Sequence, residues 1–139
     1  MPREMGWRDL FDWLFTEEHR LFRKSVRRFL EKEIAPHVAD WERERALPRA
    51  VFQRFGEMGY LGLAAPASTE DADVVAEAVL YEELGRYGTG GVASAIGYHA
   101  GGALPLVAAF GRPELKDRYV KPSLQGEQVG GLALKEPAG

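Results

Sequence analysis

Residues 16–36 read TEEHRLFRKSVRRFLEKEIAP, and this stretch decides the fold class. Thr16 can accept a hydrogen bond from the first helical turn, and Glu17 and Glu18 then lie where the helix dipole favours negative charge. Apolar side chains follow at the three- and four-residue spacing of a helix face, at Phe22, Val26, Phe29, Leu30 and Ile34. The stretch therefore predicts an amphipathic helix that Pro36 ends or kinks.

Further helical segments precede and follow this stretch. We predict a short helix over residues 10–14, resumed helix after Pro36, a helix between Pro48 and Gly59, and a fourth helix capped at Ser68. An uncharged fifth helix over residues 89–110 and a sixth that starts at Pro113 complete the series. This order of elements predicts an all-α fold, an up-and-down helical bundle of about six helices.

The charged side chains of two of these helices are expected to lie in solvent. On the fourth helix, Glu77, Glu82 and Glu83 fall outside the apolar face. On the second helix, acidic neighbours balance a basic run, which is typical of a solvated face; the run consists of Arg20, Arg23, Lys24, Arg27 and Arg28. Contact with a phosphate group or with an acidic partner is the alternative for this run.

The composition excludes several classes of function. The chain has 139 residues, which is the size of one domain. Lys and Arg number 18 against 21 for Asp and Glu, and the net charge of −3 disfavours nucleic-acid binding. The absence of cysteine excludes disulfides, thiolate metal sites and cysteine nucleophiles, and it fits a reducing compartment, so we expect a cytoplasmic protein. His19, His37 and His99 are too scattered to predict a metal site.

Residues 89–110 contain no Asp, Glu, Lys or Arg over a length that could span a bilayer. Glycine residues, together with Ser94, His99 and Pro105, dilute the hydrophobicity of the segment. We therefore predict a helix that is buried on nearly all sides within the bundle, and no membrane contact.

The sequence pattern changes after Gly126. Val129 to Leu134 is short, apolar and glycine-containing, which predicts a β-strand, and a strand needs partners to form a stable sheet. We predict a helical domain over residues 1–126 and, over residues 127–139, the first strand of a middle β-domain of which this chain holds only the start. Such a strand is expected to be disordered or paired across a contact between chains.

Four stretches of the sequence, in their order and spacing, resemble a known protein family. They are residues 16–36, MGYLGL followed by AP within residues 58–66, EELG at residues 82–85, and FGRPELK followed by LALKEPAG between residues 110 and 139. Each stretch is weak by itself. Together they resemble the N-terminal α-helical domain of the acyl-CoA dehydrogenases, the flavoenzymes of fatty-acid and branched-chain β-oxidation.

The resemblance implies an FAD-dependent oxidoreductase that removes hydrogen from the α and β carbons of an acyl-CoA thioester. In the complete family architecture, a β-barrel and a C-terminal helical bundle follow the N-terminal domain, and a Glu of the C-terminal domain removes the α-proton. The resemblance therefore implies no catalytic residue in this chain, which is predicted to be inactive alone. It also implies electron-transferring flavoprotein as a partner and a homo-oligomeric enzyme.

Two sets of binding residues follow from the resemblance. The segment after Gly130 is similar to the family's flavin-contacting strand, so the predicted cofactor-binding residues are Leu132, Leu134 and Lys135. The fifth helix is similar to the inner wall of the acyl pocket, so the predicted substrate-binding residues are Ala93, Ser94, Gly97 and Tyr98. Glycines that only let helices approach closely are the alternative for this helix.

Two features depart from the family's pattern. Lys135 stands where the family usually has Thr, so an ammonium that only donates replaces a hydroxyl that donates and accepts. The loop after Pro66 is shorter than usual by about five residues. A non-catalytic helical subunit of a degenerate member is therefore one alternative function. An acyl-CoA oxidase or a flavin-dependent monooxygenase on the same scaffold is another.

Overall fold

Five helices form the regular structure of residues 11–65, 73–88 and 90–136, which this computed structural model describes. Helix α1 is composite and comprises an α-helix at Glu17–Phe29, a π turn at Leu30–Ile34, a 3-10 turn at Ala35–His37 and an α-helical end at Val38–Glu44. The others are α2 at Arg49–Glu57, α3 at Val74–Gly85, α4 at Gly90–Phe110 and α5 over residues 113–124. The predicted all-α fold is confirmed.

The predicted short helix near residues 10–14 is a 3-10 turn at Asp12–Leu14, and a second 3-10 turn lies at Tyr60–Gly62. Helices α4 and α5 each contain a π-helical segment, at Gly97–Ala103 and Lys116–Val120. Helices α4 and α5 are therefore each continuous through an irregular segment. The described residues contain five helices, where about six were predicted, because the first predicted helix is only a 3-10 turn.

The first turn of α1 forms as its sequence predicts. Thr16 Oγ1 accepts a hydrogen bond from the backbone N–H of His19 at 3.2 Å, and His19 Nδ1 accepts one from the backbone N–H of Thr16 at 3.1 Å. This reciprocal pair is a capping box in which histidine replaces the usual Glu or Gln. Further along, Pro36 lacks a backbone donor, and α-helical geometry is lost before it resumes at Val38.

Helix α3 begins at Val74, after the predicted cap. Its N-cap is Asp73, whose Oδ1 accepts a hydrogen bond from the backbone N–H of Ala76 at 2.9 Å. Ser68, the predicted cap, lies outside the described residues. Asp73 Oδ2 also lies 2.9 Å from His19 Nε2, so one carboxylate joins the start of α3 to the first turn of α1.

The core packs α1, α2 and the turn that follows α2 against α3. Phe29 of α1 contacts Phe55 of α2 edge to face, with 5.0 Å between ring centroids, and contacts Tyr60 at 5.6 Å. Leu80 and Leu84 of α3 are buried in the same cluster. Full burial of a side chain of this size contributes roughly 1.5–3 kcal/mol. These contacts therefore fix α1 and α3 relative to each other, and α4 packs against them.

Helix α4 is buried on one face only, which corrects the prediction that it is buried on nearly all sides. The buried residues lie along one face of the helix and are Val92, Ile96, His99, Ala100 and Leu104. The large apolar residues on the exposed surface are Tyr98, Leu106 and Phe110. The prediction was wrong because the described helices cover α4 from one side. By length and composition alone, Gly90–Phe110 could cross a membrane, as the core helices of many proteins could.

Residues 129–136, the described part of the chain after the turn at residues 125–128, have no regular secondary structure. Residues 129–136 are mostly exposed and form no strand pairing within the described part of the chain. The strand predicted at Val129 to Leu134 therefore has no partner there. The division into a helical domain over residues 1–126 and the start of a β-domain over residues 127–139 stays a prediction.

The turn after α5 contacts α2 backbone to backbone. Gly126 has a φ of 72°, and a Cβ on it would overlap the backbone of Phe52. On the facing side, a Cβ on Gly56 would lie 2.6 Å from the carbonyl carbon of Gln125. Because both positions are glycine, α5 and the segment that follows it can lie directly on α2.

Candidate functional site

An open groove of about 640 Å³ lies between α3, α4 and the C-terminal segment. Its α4 wall includes all four predicted substrate-binding residues, Ala93, Ser94, Gly97 and Tyr98. Glu77 and Tyr81 of α3 line the groove from the other helix, and Leu132 of the C-terminal segment completes the lining. The structure thus brings the predicted substrate set together with one of the predicted cofactor residues.

The groove exists because α4 has glycines where it faces α3 and Leu132. A Cβ on Gly97 would lie 3.6 Å from Tyr81 Cε1, and a Cβ on Gly101 would lie 2.9 Å from the Tyr81 hydroxyl. A Cβ on Gly102 would lie 2.7 Å from Leu132 Cδ1. Larger residues would fill the groove or displace its lining. Both interpretations of these glycines therefore apply, because they let α4 pack closely on its neighbours and they also leave space for a ligand.

The groove contains one carboxylate and several hydroxyl groups beside its apolar surface. Burial, and then the negative charge of Glu77, raises the pKa of the Tyr81 phenol, which stays protonated near neutral pH. Ser94 and Tyr98 add exposed hydroxyls. These groups can hold and orient a ligand through hydrogen bonds and apolar contact.

The other two predicted cofactor residues lie outside the groove. Leu134 is 83% exposed, and Lys135 is exposed as well. Beyond Leu132 the chain leaves the helices, so the structure does not bring Leu134 and Lys135 to the predicted substrate set.

Glu83 is fully buried, which corrects the prediction that it points to solvent. Arg27 donates to Glu83 from Nε and Nη2, each at 2.9 Å, and Arg23 Nη1 donates at 3.1 Å. Burial by itself would raise the pKa of Glu83, but the hydrogen bonds from Arg27 and Arg23 outweigh it and hold the pKa below its usual range. The basic run of α1 is accordingly not a wholly solvated face, because two of its members bind α3.

His99 is also fully buried, and it joins three parts of the chain. Its Nε2 lies 3.1 Å from the carbonyl oxygen of Ser123 in α5, and its Nδ1 accepts a hydrogen bond from the Gly130 N–H at 3.0 Å. The ring packs edge to face on Phe52 of α2 at 5.5 Å. In the part of the chain that the structure describes, no three His, Cys, Asp or Glu residues are grouped so that they could hold a metal ion.

Comparison with known proteins identifies acyl-CoA dehydrogenases as relatives of this chain. Residues 16–127 match the family model for the N-terminal domain of acyl-CoA dehydrogenases. The mouse mitochondrial long-chain specific acyl-CoA dehydrogenase is 29% identical over 126 residues, which are 89% of this chain and 29% of that protein. An acyl-CoA dehydrogenase structure from Geobacillus kaustophilus has a TM-score of 0.75 and 33% identity, over 90% of this chain and 33% of its own.

A third relative is a structure of acyl-CoA dehydrogenase complexed with FAD from Bacillus anthracis. It has a TM-score of 0.68 and 28% identity, and the match covers 90% of this chain and 22% of that one. The chain thus spans a third or less of the length of these three relatives.

Proposed function

Because this chain belongs to the acyl-CoA dehydrogenase family and matches its N-terminal domain, we propose that it lines the acyl site of an FAD-dependent enzyme. That enzyme would oxidise an acyl-CoA thioester between its α and β carbons. The supporting observation is the groove, which unites Ala93, Ser94, Gly97 and Tyr98 with Leu132.

In this proposal the residues of the chain bind and orient the substrate. Gly97 and Gly101 leave room for an acyl chain along α4, and Tyr98 borders that space. Tyr81 keeps its proton near neutral pH and can donate a hydrogen bond to a polar atom of the ligand. Glu83 is not a candidate base, because it is buried in hydrogen bonds with arginines that favour its charged form.

In this proposal the backbone of residues 131–136 would contact the flavin. Leu132 and Leu134 make no backbone hydrogen bond within the described residues, so their N–H and C=O groups could meet the polar edge of an isoalloxazine ring. When bound, FAD supplies hydride-accepting chemistry. The Lys135 ammonium would add a donor and no acceptor at this place.

Four further parts of the proposal rest on the family resemblance alone. We propose that the complete enzyme acts in fatty-acid β-oxidation, passes its electrons to electron-transferring flavoprotein, forms a homo-oligomer and works in the cytoplasm.

A domain exchange tests the proposed function. Residues 16–136 would replace the matching region of the Geobacillus kaustophilus acyl-CoA dehydrogenase, followed by measurement of flavin content and of acyl-CoA oxidation with an artificial electron acceptor. We expect the chimera to retain FAD and to oxidise an acyl-CoA. We expect residues 1–139 alone to carry no stoichiometric flavin. A folded chimera that holds FAD but never turns over would contradict the proposal.

Substitution of Gly97 by leucine is expected to raise the KM of this chimera for a long-chain acyl-CoA by about tenfold or more. The added side chain would occupy the groove beside Tyr81, where a Cβ alone already lies in contact. Gly85→Leu is the matched control, because a Cβ on Gly85 has no neighbour within 4 Å, and its KM should stay within about twofold. Equal KM values for the two variants would show that substrate does not occupy the groove.

Lys135 favours a second candidate function, a non-catalytic helical subunit that binds a catalytic relative. The same chimera separates the two candidates. Activity with Lys135 present supports the dehydrogenase, whereas activity that appears only after Lys135→Thr supports the non-catalytic subunit. Oxygen consumption in place of transfer to the acceptor would indicate an oxidase or a monooxygenase.

A further inference from the structure

The hydrogen bonds of His99 fix its protonation state. The backbone N–H of Gly130 can only donate, so His99 Nδ1, 3.0 Å away, must be the unprotonated nitrogen that accepts. The ring proton is then on Nε2, which donates to the carbonyl oxygen of Ser123 at 3.1 Å. The neutral tautomer with hydrogen on Nε2 therefore satisfies both backbone groups.

His99 thereby determines where the C-terminal segment lies on α4. A Cβ on Gly130 would lie 2.9 Å from the Cβ of Ala103, so the backbone of the segment passes against the helix at this point. Two residues later, Leu132 Cδ1 lies over Gly102 and lines the groove. Two residues of chain reach at most about 7 Å, so a displacement of Gly130 must move Leu132 as well.

Among the described residues, those that surround His99 carry no charge that would stabilise an imidazolium. The cavity beside it, of about 290 Å³, is lined from α5 by Tyr119 and Ser123 and from the C-terminal segment by Gln128, and none of its lining residues is charged. Phe52 covers the ring from α2. The nearby turn Tyr60–Gly62 carries one phenol, which pairs with Ser25, and no charge.

Protonation of His99 would disrupt the contact with Gly130. A proton on Nδ1 would face the Gly130 N–H, and two donors cannot form a hydrogen bond with each other. Burial lowers the pKa of His99, and the hydrogen bond to the Ser123 carbonyl opposes this only in part. The neutral ring and the attached segment are therefore the form present at neutral pH.

We propose that His99 is a positioning residue, whose neutral ring fixes Gly130 and thereby places Leu132 at the end of the groove. The contribution to acyl-CoA oxidation rests on the function proposed above. The positioning itself does not, because it is a property of this chain without flavin or substrate.

The direct test is nuclear magnetic resonance of the 139-residue chain. Ring-nitrogen spectra of His99 are expected to show hydrogen on Nε2 at pH 7. The Gly130 and Leu132 amide signals should shift together with the His99 ring as the pH is lowered below about 6.5, the usual histidine value. Hydrogen on Nδ1 at pH 7, or Gly130 and Leu132 signals that do not follow the ring, would overturn the proposal.

Two substitutions separate positioning from general stability. His99→Leu removes both hydrogen bonds, and it should accelerate hydrogen exchange of the Gly130 amide by about tenfold more than that of core amides in α1. His99→Gln keeps a donor and an acceptor without titration, so it should restore Gly130 protection and abolish the pH response. His37→Gln, at an exposed histidine, is the control and should preserve that response. Uniform acceleration of all amides in His99→Leu would reduce His99 to a structural role.

The pH dependence of unfolding provides a further prediction. Because the pKa of His99 is lower in the folded chain than in the unfolded chain, the unfolded state gains the proton first as the pH falls. The contribution of His99 to the free energy of unfolding is therefore fully present above about pH 6.5 and decreases below it. The unfolding equilibrium constant should increase by up to about tenfold for each pH unit of this decrease. Denaturant titrations from pH 7.5 to pH 5 should show the decline in the native chain and not in His99→Gln. The same decline in both would contradict the role of His99.

In the chimera, His99→Leu should lower kcat/KM by about tenfold, and His99→Gln should recover most of the loss. A chimera without activity, combined with the expected resonance data, would refute the dehydrogenase function and leave the positioning intact. Normal activity in His99→Leu would refute the functional contribution of His99.

Discussion

Replacement of Glu83 by alanine is expected to lower the free energy of unfolding by about 3 kcal/mol, one of the two largest effects that we expect from a single substitution. Glu83 is fully buried and accepts hydrogen bonds from both Arg27 and Arg23. Its removal leaves two guanidinium groups, 37% and 20% exposed, with fewer partners between α1 and α3. It also leaves a void at a fully buried position.

Urea denaturation of the native chain and of two control variants measures this effect. Glu83→Gln keeps the size of the side chain and removes its charge, so a large loss in this variant too assigns the effect to the ion pairs. Asp40→Ala breaks an exposed pair with Arg43 and should change stability by no more than about 0.5 kcal/mol. If Glu83→Ala and Asp40→Ala lower the free energy of unfolding equally, the buried ion pairs of Glu83 contribute no more to stability than an exposed pair.

The pH profile provides an independent check on Glu83. Its pKa is lower in the folded chain than in the unfolded chain, so its stabilising contribution is complete above the unfolded value of about 4.5. The contribution is lost as the pH falls through the folded value. This loss occurs at lower pH than the one expected for His99, so the two groups can be separated in one titration series.

Replacement of Gly126 by alanine is the second substitution expected to have a large effect, with a loss of about 3 kcal/mol or more. Two costs combine, since the φ of 72° is unfavourable for a side chain and the new Cβ would overlap the backbone of Phe52. Backbone atoms of a core helix cannot move aside as a flexible side chain can. We expect the turn to lift from α2 and to displace α5.

Gly59→Ala is the matched control for this prediction. Gly59 has a similar φ of 76°, but a Cβ there would have no neighbour within 4 Å. It should cost only the conformational penalty, about 1 kcal/mol. Thermal unfolding of the two variants measures the difference, which is the cost of the close approach. If both variants lose the same amount, the contact between Gly126 and α2 carries no energetic weight.

The local features of the fold could be predicted from the sequence because they depend on neighbouring residues. The cap at Thr16 and the apolar face of α1 follow from residues three or four positions apart, and the disturbance at Pro36 follows from the proline itself. The reciprocal bond from His19, which makes the cap a capping box, was not predicted. The α4 wall of the groove also lies on one helix, which is why Ala93, Ser94, Gly97 and Tyr98 meet in one place.

The remaining features depend on contacts between residues far apart in the chain. Glu83 and Arg27 are separated by 56 positions, and each alone is typical of a solvated helix face. His99 and Gly130 are separated by 31 positions, and a lone histidine in an apolar helix predicts nothing about its partners. One feature of the sequence does indicate that His99 has partners. It lies within the long uncharged helix α4, and a buried histidine in such a helix requires hydrogen-bond partners.

The buried carboxylate of α3 also has a consequence for how the helices align. Apolar faces tolerate sliding, because one leucine resembles the next. A shift of α3 along α1 by one helical turn, about 5.4 Å, would move Glu83 away from the guanidinium groups that it contacts. Its carboxylate would then be buried without a partner, which is strongly unfavourable. The ionic cluster thus selects one alignment among several that the hydrophobic residues alone would permit, and it sets the height at which Tyr81 and Glu77 face α4.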